Sequence, residues 1–148
     1  MPEDFSDRFW AWYATDEYRL VLDVCELIKA LEFLQAPASV QSSQIPYCPA
    51  CETWSTMMLP VNSFLEKFQT DLSPPLREAL CTVWLLSNEL PEGAFRCDDF
   101  EMFHAASWAA LRSAASEALR CLGWEGLQLH IEEVMAECHR ALHSRKSK

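Results

Sequence analysis

Glycine is nearly absent, with three residues in 148. No stretch alternates β-branched and polar residues over the length of a strand. Both absences argue against a sheet and leave helices as the material of the fold. No apolar run approaches the ~20 residues that a membrane-spanning helix needs. The most apolar stretch, Leu80-Cys81-Thr82-Val83-Trp84-Leu85-Leu86, is seven residues long. The start, Met1-Pro2-Glu3-Asp4, has neither an apolar core nor a cleavage site, so no secretory leader is expected and the reading is a cytoplasmic, reducing setting.

Catalytic signatures are missing as well. There is no G-x-S-x-G, no phosphate-cradling glycine loop, no H-E-x-x-H and no dinucleotide fingerprint. The chain points to no enzyme class, and an enzyme here would be of unrecognised type.

Bases are scarce: 12 Lys and Arg stand against 22 Asp and Glu, a formal charge of −10. Four of those bases (Arg140, Arg145, Lys146, Lys148) crowd the last nine residues, which contain no acid. The body before them is therefore more acidic than the total says. Such a surface repels nucleic acid and anionic membrane and attracts basic protein surfaces. The plainer alternative is that the acids serve solubility alone.

Half the residues are hydrophobic, with six Trp and eight Phe. At this length one domain can bury a core without staples. Phe5, Phe9, Trp12 and Tyr13 fall on one face of a short first helix. Thr15-Asp16-Glu17 looks like a fresh start, and from Tyr18 to Gln35 the apolar residues fill two adjacent stripes, ended by Pro37. Residues 36–47 carry no charge and read as a loop; 52–59 are ambiguous. Pro60 opens or kinks a helix with Phe64, Leu65 and Phe68 inward. Ser73 and Pro74 start the next one, 74–90, which is apolar nearly all round and so is expected at the centre, with Trp84 buried. Asp98 and Asp99 cap a helix from Phe100 to Leu122, with Phe100, His104 and Trp108 on its inner face, and Gly123 stops it. A last helix spans about 125–142.

The expected fold is all-α: one irregular bundle of five or six helices over residues 1–143, followed by a frayed basic tail, 144–148. The 74–90 and 100–122 helices are expected at its centre.

Seven cysteines, an odd number, suit a reduced protein, and several lie mid-helix, where a thiol packs as a small hydrophobe. Cys25, Cys81 and Cys138 are expected to be buried and Cys48 and Cys51 accessible. Cys48-Pro49-Ala50-Cys51 is the one recognisable motif. Two thiolates on a tight turn form half of a tetrahedral zinc site, with the second pair to come from elsewhere. His139 and His143, one turn apart on the last helix, are the available donors. The same four residues resemble the redox motif of thioredoxin-like proteins, but the βαβ context it requires is missing. The remaining alternative is two loop cysteines that bind nothing. Glu101-Met102-Phe103-His104 resembles the E-x-x-H of di-iron bundles, yet no second copy exists, so a core histidine is the expected reading.

The other candidate site is electrostatic. Glu89, Glu92, Asp98, Asp99 and Glu101 lie within thirteen residues, relieved only by Arg96. Held on a turn between rigid helices, they could dock Arg or Lys of a partner; the alternative is a set of caps and solvated acids. The functional expectation is an acidic module that binds and neutralises or regulates a basic protein, such as a toxin or nuclease. Immunity proteins and antitoxins share that general character. A zinc-binding or redox module through Cys48 and Cys51 is the alternative.

Overall fold

The structure is a computed structural model in which residues 5–146 are described. It is all-α in a single domain, with eight α-helices among the described residues rather than five or six. They are α1 (Phe5–Ala14), α2 (Tyr18–Gln35), α3 (Ala38–Gln44), α4 (49–67), α5 (Pro74–Asn88), α6 (Ser107–Leu122), α7 (Trp124–Leu127) and α8 (Ile131–Lys146). Two 3₁₀ turns, Glu92–Ala94 and Phe100–His104, lie between α5 and α6.

The centre is α2, not the helix the composition singled out. Ten of its residues are buried against five on α5, and it packs on α1, α4, α6 and α8. Its two adjacent apolar stripes form one wide face that neighbours cover from several sides. α5 packs on α6 and α4 with Leu76, Leu80 and Val83, while Cys81 is exposed, Leu85 is 56% exposed and Trp84 is half-buried. The uncharged Leu80–Leu86 segment is thus covered on one side only. α6 lies against both α2 and α5, and its small Ala115 and Ala118 are fully buried where the helices meet.

Two segments differ from the sequence expectation for visible reasons. Residues 38–44 are helical because Gln41 reaches inward: its Nε2 donates to Phe33 O at 3.0 Å, which also accepts from Ala36 N–H, and to Leu34 O at 3.2 Å, carbonyls of the last turn of α2. Its Oε1 accepts from Arg112 of α6 at 3.0 Å. The ambiguous 52–59 stretch widens into a π turn, Trp54–Met58, inside α4. Pro60 is the physical cause, since its ring would strike the carbonyl four residues back and it has no N–H to give. Ser55 and Thr56 hydroxyls donate to Cys51 O and Glu52 O across the same turn.

The long 100–122 helix is also divided. Asp99 caps at its start, accepting from Glu101 N–H at 3.0 Å, but Ala105 is extended and only Ser107–Leu122 is α-helical. Phe100 and His104, placed inward from the sequence, are exposed, while Met102, Phe103 and Trp108 are buried. Gly123, at φ 79°, closes α6 as its sequence position implied. The last helix begins at Ile131; of Leu127, Ile131, Val134, Cys138 and Leu142, which helical spacing in the sequence puts on one inward face, the first four are buried and Leu142 is half-buried. Its backbone runs through Lys146, and the remaining two residues of the basic end lie outside the described residues, as do residues 1–4.

Candidate metal centre

The Cys48–Cys51 turn is built by the start of α4. Cys48 is its N-cap residue, Pro49 fits the first turn, and Pro49 and Ala50 are buried, so the turn is anchored by its middle. The cap is unusual in its acceptor: Cys48 Sγ takes the Cys51 N–H at 3.4 Å. That N–H holds the Cys48 thiol below its ordinary range, aided by a hydrogen bond with Cys97.

Cys97 is the residue that sequence reading missed. It arrives from the loop after the 3₁₀ turn Glu92–Ala94, 46 residues beyond Cys51, and its Sγ lies 3.5 Å from Cys51 Sγ. Two contacts pin this loop. Fully buried Trp108 donates its indole N–H to Ala94 O at 2.7 Å, and Arg96 N–H approaches Met102 Sδ at 3.2 Å. The hydrogen bonds that Cys97 makes with Cys48 and Cys51 push its own thiol up to about 12. Within the trio the Cys48 thiol is thus made more acidic and the Cys97 thiol less so.

The sulfurs of Cys48, Cys51 and Cys97 all lie within 4.8 Å of one another. A tetrahedral zinc ion with Zn–S of about 2.3 Å sets its sulfurs about 3.8 Å apart, so the trio is within small side-chain adjustments of a metal cradle. Bound metal would deprotonate the trio outright, which removes the Cys97 thiol's preference for its proton. Among the described residues no fourth Cys, His, Asp or Glu joins the group, which leaves one position to solvent or to an outside donor. All seven cysteines are free thiols.

Other sequence candidates fall elsewhere. His139 and His143 line a groove with Arg19, Asp23 and Glu26 and are not part of the thiol group. His104 and Glu101 form an exposed pair at 3.6 Å, so E-x-x-H is a surface turn here and not a core ligand set. Cys81, expected to be buried, is exposed; Cys25 and Cys138 are buried as expected.

The five acids share one corner but not one role. Asp99 is occupied as a cap, Asp98 lies 3.8 Å from Arg96 Nε, and Glu101 faces His104. Glu89 and Glu92 are exposed, and among the described residues neither takes part in an ion pair.

No family model, curated protein or solved structure matches the chain. No helix among the described residues is long and apolar enough to cross a membrane.

Proposed function

We propose that this protein binds one zinc ion through Cys48, Cys51 and Cys97, and that the ion fixes the 91–98 loop against the start of α4. The observation that carries this reading is the convergence of three sulfurs from two distant segments within 4.8 Å. Soft thiolates select zinc or copper(I) over hard cations, and zinc brings no redox chemistry of its own. The role is structural: a small helical module whose loop is held in place, not an enzyme. A reducing, cytoplasmic setting belongs to this proposal, because it keeps the thiols available.

A second, compatible reading is supported by the free carboxylates of Glu89 and Glu92 on the borders of that loop. The clamped corner would then present acids to a basic protein partner of the toxin or nuclease kind, in the manner of an immunity protein or antitoxin. Zinc is the only cofactor this reading involves, and nucleic acid and membrane are not among its partners.

Metal content tests the first reading. Protein purified under reducing conditions without added metal should carry about one zinc per chain, lost in Cys97→Ser and retained in Cys121→Ser. A chain that neither carries zinc nor takes it up on titration, with its thiols reduced, overturns the proposal.

A further inference from the structure

α5 leaves a bare apolar stripe on the outside of the molecule. Glu78, Cys81, Leu85 and Glu89 recur at i, i+3, i+7 and i+11, which places them on one helix face, and all four are exposed. Trp84 borders this face half-buried, its ring 5.3 Å from Trp54 of the π turn, and Trp54 lies 6.5 Å from Phe95 of the 91–98 loop. Three half-buried aromatic rings from three segments thus adjoin one another, and exposed Leu85 follows Trp84 on the helix. Acids frame this face: Glu78 and Glu89 end the stripe, and Glu92 lies on the loop beside Phe95. Of the nearby bases, Arg77 is turned away to Gln69 O at 2.8 Å, and Arg96 lies 3.8 Å from Asp98.

We infer that this face docks a short amphipathic protein segment whose apolar side chains cover Leu85 and the Trp54–Trp84 pair and whose Lys or Arg residues meet Glu78, Glu89 and Glu92. The occupant is chosen by charge complementarity: an apolar strip bordered by three acids disfavours a second acidic chain and favours a basic one. From Glu78 to Glu89 the strip is about 16 Å long, the reach of three helical turns. The inference rests on the interaction reading above and not on the zinc site.

A synthetic 14-residue amphipathic Lys/Leu helix is the probe, with Glu/Leu and Lys/Ser peptides of equal length as controls. Binding is followed by fluorescence anisotropy, and the chain's own association by sedimentation. The Lys/Leu peptide should bind one to one, at least tenfold more tightly than either control. Leu85→Glu should weaken it at least tenfold, whereas Leu129→Glu, at a site 85% exposed on the α7–α8 turn, should leave it unchanged. Circular dichroism checks that both variants keep the fold. Equal binding of Lys/Ser and Lys/Leu peptides, or indifference to Leu85→Glu, overturns the inference. So does a dimer of the parent chain that Leu85→Glu dissolves, since a second copy then covers the face. If Glu89→Lys weakens the probe and Leu85→Glu does not, the acidic reading stands and the apolar face is wrong. If the probe does not bind at all, both fall.

Discussion

The Arg112 guanidinium donates to Gln41 Oε1 at 3.0 Å across 71 residues of chain, and to Phe103 O at 3.1 Å. Gln41 is fully buried and spends its amide N–H groups on the last carbonyls of α2. One side chain thus ties α2, α3 and α6 together, and Arg112 extends the tie to the 3₁₀ turn at Phe100–His104. Buried polar groups of this kind are costly to leave half-satisfied.

Gln41→Ala should therefore lower stability by about 1–3 kcal/mol, more than the lost methylenes explain, because the Leu34 carbonyl loses its partner and Phe33 O and Arg112 each lose one of two. Urea unfolding of the variant measures it. The neighbouring exposed Ser43→Ala, whose hydroxyl bonds only Val40 O, is the control and should fall within about 0.5 kcal/mol of the parent.

Among the tryptophans the deep one is Trp108, with no exposure and its indole N–H bound to Ala94 O. Trp108→Ala should cost about 3–5 kcal/mol and loosen the loop that carries Cys97. Trp84→Ala should cost less, about 1–2 kcal/mol, since its ring already lies half in water. Thermal melts of the two variants give the order; a reversed order would return the core to α5.

Thiol labelling should sort the cysteines by position. Cys51 and Cys81 are exposed and should react readily in the native protein, exposed Cys97 more slowly because its thiol keeps its proton, while Cys25 and Cys138 stay protected until it unfolds. Zinc should shield Cys48, Cys51 and Cys97 and leave Cys81 unaffected. Mass spectrometry of the modified chain reads this directly. Because zinc displaces protons from thiols, its affinity should fall on acidification.

Cys25 gives a pH dependence with a definite sign. Burial, reinforced by neighbouring Cys138, pushes its thiol up to about 12 from an ordinary value near 9. The folded state therefore favours the protonated thiol. That contribution is complete below pH about 9 and is lost as pH rises toward 12, so stability should decline through that interval. Cys25→Ala should be less stable at neutral pH yet show a shallower alkaline decline in urea midpoints. An unchanged slope would contradict the buried-thiol account.

Residue types and their spacing were enough to determine the all-α class, the aromatic docking of α1 through Phe5 and Phe9, the stop at Gly123 and the inward face of α8. These depend on local rules, on helix periodicity and on which residues start or end a turn. Cys48 and Cys51 were recognisable for the same reason, since their spacing is local. Tertiary structure alone decided that Cys97, not His139 or His143, approaches them, because nothing within a few residues of Cys97 announces a partner 46 positions away. It also decided which side of the uncharged Leu80–Leu86 segment meets the core. A helix apolar all round carries no mark of its buried face, and only the placement of α4 and α6 covers Leu80 and Val83 while leaving Cys81 and Leu85 in water. Gln41 completes the contrast: in sequence it is one polar residue in a polar stretch, and only the last-turn carbonyls of α2 and the reach of Arg112 make it part of the core.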